Sequence, residues 1–348
     1  MFFVVKVNLS SRTSSVKKLS HLYAMKITVI DDYQDAFRRI SSFPKLAGHE
    51  IEIFNDTLKE PARFAERLHD AECVVLTQQR SWFRRPLIEV LPNLRLLSQT
   101  GRVTAHIDLK ACTEHGVMVC AGGKGRPHST AELTWALILA ALRHIPAEVH
   151  GLRQGRWQST LGFDIFGKTL GIYALGGIGS IVANIGRAFG ARVLCWGRGA
   201  SLERARLAGY DVAASRDEFF AESDILSLHL PMVRETRGII TRMDLARMKP
   251  MALLVNTSRS KLIEDNALVE ALRLGRPGFA AVDVYDDEPI FNADNPLLTL
   301  DNAICTPHLG FVTAETYEIH YGLAVEQILA YVAGKPIHVA NPEVLQRG

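Results

Sequence analysis

Three short segments carry side chains able to move a proton and hold an anion: Val255–Arg259, Val282–Pro289 and Thr306–Gly310. An imidazole such as His308 suits proton transfer, because its ordinary pKa lies near neutrality. A carboxylate such as Glu288, bonded to that ring, favours imidazolium and fixes its orientation. The planar fork of Arg259 matches a carboxylate in a way a lysine does not. Taken singly, each has a bland reading: a histidine near a strand end is commonly a satisfied polar residue, and an arginine or glutamate there an ion pair. Placement sets them apart. Each segment begins on or just after an apolar, strand-like run, and in an open α/β sheet the residues beyond the strand carboxyl ends line the ligand crevice.

A glycine loop supplies a second feature. Leu170–Ser180 reads as a strand entering a glycine turn, with a helix expected over Ile181–Phe189. Against the template G-x-G-x-x-G, Ala174 stands at the first position, while Gly176 and Gly179 fill the others. Gly176 lets backbone approach a pyrophosphate, and Gly179 lets helix pack on strand. The helix N-terminus that follows Gly177 and Ile178 offers free amides and a partial positive charge to phosphates. The alternative is a tight strand-to-helix turn with no ligand. The next strand, Arg192–Trp196, ends at Gly197-Arg198, where an NAD site normally shows an acid. Gly197 removes repulsion toward a 2′-phosphate and Arg198 can pair with one, which points to NADP. The other reading keeps NAD, with Arg198 stacked on adenine or turned to solvent.

Positioning these groups requires a sheet, and the chain supplies two series of strands. The first is Ile27–Ile30, Ile51–Phe54, Val74–Thr77, Leu94–Ser98 and Val117–Cys120, with helices expected near Ala36–Leu46 and Pro61–Leu68. The second is Thr169–Leu175, Arg192–Trp196, Ile225–Leu230, Leu253–Asn256, Phe279–Val284 and Ala303–Thr306. Runs apolar on both faces imply parallel sheets covered by helices, hence α/β, and two series imply two such domains. Between them Ser129–Glu132 has the form of a capping box, opening a helix that is apolar almost all round through Leu142 and therefore buried between domains or subunits. Thr313–Val332 reads as a terminal helix.

Composition narrows the function classes. The 348 residues include 40 basic and 37 acidic side chains, a net charge of +3 that does not suggest a nucleic-acid or polybasic membrane binder. The longest apolar run near the middle, Trp135–Leu142, is far short of the roughly 20 residues that span a bilayer. Five scattered cysteines with no CxxC pair suggest reduced, buried thiols in a cytoplasmic protein rather than a disulfide framework or metal site. The first 24 residues hold Lys6, Arg12, Lys17 and Lys18, many serines and no acid. They read either as a targeting peptide or as a start placed ahead of Met25, and in both cases lie outside the fold.

In this order the motifs resemble the D-isomer-specific 2-hydroxyacid dehydrogenase family. The resemblance covers nearly all of Met25–Leu345. It rests on the glycine loop, Leu228–Pro231 with Thr236–Gly238, Asn256–Arg259, Asp283–Pro289 and Thr306–Gly310. It implies two doubly wound parallel-sheet domains with a cleft between them. The flavodoxin-like substrate domain would comprise 25–123 and 311–348, the Rossmann cofactor domain 124–310, with hinges near Gly123 and Gly310. It implies His308 as acid/base, Glu288 as its partner, Arg259 on the substrate, and Asp283 on the nicotinamide carboxamide. Leu230, Pro231, Thr257 and Ser258 would join Gly176–Gly179 at the cofactor, NAD or NADP. Gly101, Arg102 and Val103 would receive the substrate carboxylate. It further implies a small 2-hydroxy or 2-keto acid as substrate and a homodimer, with the helix from Ala131 as candidate contact. Departures are Ala174, Gly197, Ser260 after Arg259, and Phe311 after Gly310. Gln79, Arg80, Arg102, Arg156, Phe311 and Tyr317 are candidates for shaping the acid's pocket.

Three rivals remain open to the sequence. A dinucleotide-sensing, corepressor-like protein can retain the same three residues without turnover. A methyltransferase would not need them. Formate oxidation needs no proton transfer to substrate, and that branch changes the residue matching Glu288.

Overall fold

A computed structural model of the chain describes residues 24–123 and 125–346. The reading of the basic leader therefore falls, apart from Ala24, outside the described residues. The chain divides into two compact units, one running to Gly125 and resuming at Thr313, the other Arg126–Val312. Both changeovers lie two residues beyond the expected positions of 123 and 310.

The first unit holds five strands, β1 (Lys26–Ile30), β2 (Glu50–Ile53), β3 (Cys73–Leu76), β4 (Leu96–Gln99) and β5 (Met118–Ala121). All pair in parallel in the order β2-β1-β3-β4-β5, the flavodoxin-type winding. Ile30, Val74, Leu76, Leu97 and Val119 pack with Phe64 and Leu68 of the helix Pro61–Leu68. The terminal helix Ala314–Val332 is capped by Thr313, whose hydroxyl accepts from Thr316 N, and lies against β4. There Ser98 Oγ donates to Gln327 Oε1 at 2.7 Å.

One expectation fails in this unit. In place of a helix over Ala36–Leu46 stand two 3-10 turns, Phe37–Arg39 and Phe43–Leu46. Pro44 lacks an N–H and clashes with the preceding turn. The Asp32 carboxylate accepts from Ala36 N and Phe37 N, each at 2.9 Å, in place of helical carbonyls.

His106, on the loop after β4, is buried, and neither ring nitrogen has a hydrogen-bond partner among the described residues. Burial, with Arg84 nearby, lowers its pKa to about 4. The unfolded chain therefore takes the proton first, so stability is lost as pH falls from about 6.5 toward 4. His106→Leu is expected to flatten that acid limb in denaturant titrations between those pH values. An unchanged pH slope would show the ring does not set it.

The second unit holds seven parallel strands: β6 (Thr169–Tyr173), β7 (Arg192–Trp196), β8 (Asp211–Val212), β9 (Ile225–Leu228), β10 (Leu253–Asn256), β11 (Phe279–Val282) and β12 (Ala303–Cys305). Their order is β12-β11-β10-β9-β6-β7-β8, the Rossmann winding, with the switch of direction beside β6. Successive residues enter opposite cores. Ile172, Val193, Ile225 and Val255 pack on one side, Tyr173, Leu194, Leu226 and Leu254 on the other. Such alternation buries both faces and explains the unbroken apolar runs.

The buried helix is Pro127–Leu142, starting two residues before the expected Ser129. Pro127 suits the first turn, where its missing N–H is no loss. No side chain caps this end; Ser129 Oγ instead donates to Arg126 O at 3.3 Å, so the capping-box reading is corrected. Ala131, Trp135 and Ile138 are spent in the unit's own core. The helix after the glycine loop begins at Gly177 rather than Ile181. Four of this unit's expected strands run past the observed ladder, because Leu175, Leu230 and Val284 are buried loop residues and Thr306 begins a turn. All five cysteines are free, and four are buried. No helix among the described residues is long and apolar enough to cross a membrane.

Candidate active site

The glycine loop leaves β6 through Ala174, whose φ is +75°. A glycine would adopt this at no cost; an alanine bears about 1 kcal/mol. Gly179 has no such freedom of replacement: a Cβ there would lie 2.5 Å from Ala174 O and 3.3 Å from both Ile172 Cγ2 and His229 Cδ2. A Cβ on Gly176, by contrast, would meet nothing within 4 Å. Open space at Gly176 and a packed Gly179 fit a dinucleotide: the helix Gly177–Ala188 presents its first amides to that space, with no side-chain cap at Gly176. Two residues that the sequence reading passed over fix the loop. Ser201 Oγ accepts from Leu175 N at 2.6 Å, and Arg204 Nε donates to Leu175 O at 2.7 Å. Gly197 follows β7, and Arg198 beside it is exposed.

The other loops leave three adjacent strands, since β10 pairs with β11 and β11 with β12. At the end of β10, buried Asn256 clamps the turn that follows: Nδ2 donates to Arg259 O at 2.9 Å, and Oδ1 accepts from Ser258 N at 3.0 Å. Ser258 Oγ donates to Leu230 O at 2.5 Å, tying this turn to the loop after β9, where Thr236 Oγ1 donates to Pro231 O at 2.7 Å. Arg259 is half-buried, with Nη1 on Ser258 O at 2.7 Å.

After β11, Asp283 is fully buried. Its Oδ1 accepts from Thr306 Oγ1 and Leu309 N, both at 2.7 Å, and its Oδ2 from Gly310 N at 2.9 Å. Burial raises its pKa, while those hydrogen bonds and the His308 charge oppose the rise. The residue thus grips the histidine loop. Glu288 is held by Tyr285 N, which donates to Oε1 at 2.8 Å, while Oε2 lies 2.6 Å from His308 Nδ1. His308 itself has φ +53°, and the Phe311 ring meets its imidazole edge-on at 5.6 Å.

The helix Pro127–Leu142 steadies two of these loops from below, another feature invisible in the sequence. Thr130 Oγ1 donates to Gly310 O at 2.9 Å, and Thr134, one turn on, shares a 2.8 Å hydroxyl contact with Thr257.

The remaining candidates stand in several places. In the first unit, Gln99 Nε2 donates to Val103 O at 3.3 Å, closing the loop that contains Gly101. Arg102 Nε donates to Gly123 O. Tyr317 is buried, stacked on Tyr321 at 5.2 Å with its hydroxyl on Gln34, so it is a core residue. In the second unit, Arg156 is exposed and donates to Gln154.

Comparison with known proteins gives consistent matches. The family model for the NAD binding domain of D-isomer specific 2-hydroxyacid dehydrogenases matches residues 135–310. The chain is 37% identical over 301 residues to a glyoxylate reductase of Aeropyrum pernix, covering 84% of this chain and 87% of that one. It is 35% identical over 314 residues to a D-3-phosphoglycerate dehydrogenase of Methanocaldococcus jannaschii, covering 89% of this chain but spanning only 58% of that protein's length. Among solved structures, a phosphoglycerate oxidoreductase from Vibrio cholerae superposes with a TM-score of 0.86 at 44% identity, covering 89% of this chain and 99% of that one.

Proposed function

Because the chain belongs to the D-isomer-specific 2-hydroxyacid dehydrogenase family, we propose that it transfers a hydride between a nicotinamide dinucleotide and a 2-hydroxy or 2-keto acid of D configuration. The 2.6 Å contact between His308 Nδ1 and Glu288 Oε2, at the carboxyl edge of the sheet, carries the reading. The dinucleotide supplies or accepts the hydride, which no side chain can do. In the reducing direction His308 enters protonated. With Nδ1 on Glu288, the proton leaves from Nε2 to the substrate carbonyl oxygen; in oxidation the neutral ring takes the hydroxyl proton. Glu288 stabilises the imidazolium and fixes the ring's tautomer. Arg259 holds the carboxylate and carbonyl oxygen, offsetting charge that grows there. Gly101, Arg102 and Val103 receive the carboxylate. Asp283, which the resemblance assigns to the nicotinamide carboxamide, also grips the histidine loop.

NADP is the favoured form, since Gly197 bears no repelling charge and Arg198 can pair with a 2′-phosphate. Arg198→Ala is expected to weaken kcat/KM for NADPH about tenfold while leaving NADH within twofold. An unaltered ratio would discard the assignment. The test of the whole reading is a panel of glyoxylate, pyruvate, hydroxypyruvate and phenylpyruvate assayed with each cofactor. Oxidation of neither cofactor by any of them would favour a dinucleotide sensor instead.

A homodimer in the cytoplasm belongs to the same proposal, with a revised contact. The helix from Ala131 is consumed inside its own unit. Trp157, Leu161 and Phe166 are instead 77%, 88% and 81% exposed, together with Ile145, Val149 and Leu152 just before them. Six exposed apolar side chains within 22 residues of sequence offer an association surface. Light scattering at micromolar concentration showing a monomer would reject it.

A further inference from the structure

A cavity of about 520 Å³ in the first unit is lined by Gln78, Gly101, Arg102, Gly123, His320 and Leu323, among others. Gln78 lies just past β3 with φ +57°. A non-glycine residue in that region persists only where its surroundings hold it, and such residues cluster at ligand sites. Here the hold is extensive. Gln78 N donates to Thr100 Oγ1 at 3.0 Å, and Thr100 Oγ1 donates to Leu76 O at 2.9 Å. The Gln78 side chain donates through Nε2 to His320 Nδ1 at 2.9 Å, across 242 residues of sequence. One residue earlier on the strand side and one later on the helix, Thr77 Oγ1 and Tyr321 OH make a second bridge at 2.9 Å.

An amide nitrogen can only donate, so Nδ1 of His320 accepts and the ring carries its proton on Nε2. Burial lowers the pKa of His320 and favours the same neutral form. Gln78 Oε1 is then an acceptor and His320 Nε2–H a donor, and neither takes a hydrogen bond among the described residues. Gln78 Oε1 sits beside the loop assigned above to the substrate carboxylate, 3.7 Å from where a Cβ on Gly101 would be.

We propose that Gln78 and His320 are specificity-determining residues that read a hydroxyl group on C3 of the 2-keto acid held at Gly101–Val103. A hydroxyl both donates and accepts, so it satisfies the two neutral groups at once. A C3 methyl leaves both unpaired, at the cost that makes hydrogen-bonding sites reject analogues lacking the group. A phosphate or second carboxylate would set a negative charge against the Gln78 carbonyl, while the cation in the wall, Arg102, is already assigned to the C1 carboxylate. The proposal rests on the dehydrogenase reading, and its test separates the two.

The full chain is assayed with glyoxylate, which has no C3, and with pyruvate, 3-hydroxypyruvate and 3-phosphohydroxypyruvate. The wild type is expected to prefer 3-hydroxypyruvate to pyruvate by about 10²-fold or more in kcat/KM. Gln78→Leu should cut that ratio at least about tenfold, mainly through KM, with glyoxylate as internal reference. His320→Phe should do the same, and His320→Gln, which keeps a donor, should restore part of it. Calorimetric binding of the same acids gives the comparison without turnover. Equal use of pyruvate and 3-hydroxypyruvate by the wild type, preference for the phosphorylated acid, or an unchanged ratio in either folded variant overturns the proposal. Selective binding of 3-hydroxypyruvate without any cofactor oxidation would instead sink the dehydrogenase reading and leave the hydroxyl site standing.

Discussion

Replacing His308 with alanine is expected to lower kcat by about 10² to 10⁴ fold, the usual scale of general acid–base assistance. The expectation comes from how completely the ring is committed. Its Nδ1 is engaged by Glu288 at 2.6 Å, and Glu288 is itself fixed by Tyr285 N. The loop beneath is gripped by buried Asp283 through Thr306, Leu309 and Gly310. Phe311 packs against the ring's edge. A side chain held from so many directions is oriented for one task, and alanine would leave the holders in place while removing the proton carrier. Cofactor affinity should change little, because the glycine loop lies after a different strand. Stopped-flow or steady-state rates with the best acid of the panel make the measurement. A variant turning over at the wild-type rate would remove His308 from the mechanism.

Arg259→Lys is expected to reduce kcat/KM by about 10² to 10³ fold, the range seen when a single donor to a developing oxyanion is lost. Both constants should suffer. The carboxylate loses its bidentate partner, which raises KM, and the carbonyl oxygen loses a donor at the moment its charge grows, which lowers kcat. The turn makes the residue hard to replace by length alone. Asn256 pins the Arg259 carbonyl and the Ser258 amide, and Ser258 Oγ pins Leu230 O, so the backbone cannot shift to bring a lysine ammonium to the fork's position. Wild-type values of both constants in the variant would show that the anion is held elsewhere.

What could be read in advance depended on whether the information was local. The parallel sheets were legible because each central strand must be apolar on both faces, and runs such as Leu253–Val255 declare that without reference to anything distant. Gly176 and Gly179 were legible because a close backbone approach has a fixed spacing. Helix starts were less so: the pattern at Ser129–Glu132 is a capping signature by spelling, yet Pro127 begins the helix and leaves the serine inside it. The supports of the site were not legible at all. Ser201 and Arg204 reach Leu175, and Thr130 and Thr134 reach Gly310 and Thr257, only because winding brings separate crossovers to one sheet edge. Gln78 and His320 are further apart still in sequence, and no motif joins them.

The bond between Ser201 and Leu175 has an implication for how nucleotide preference can change. A side chain placed at residue 197 would begin 3.1 Å from Ser201 Oγ and 3.2 Å from Ser201 Cβ. That same hydroxyl holds the amide of Leu175. Introducing an acid at 197 to favour the unphosphorylated ribose would therefore press on the anchor of the pyrophosphate turn, trading a gain at one end of the dinucleotide for a loss at its middle. Shrinking residue 201 would not lift the barrier, because it would delete the hydroxyl that anchors Leu175, and the φ of +156° at Gly197 already penalises any side chain there.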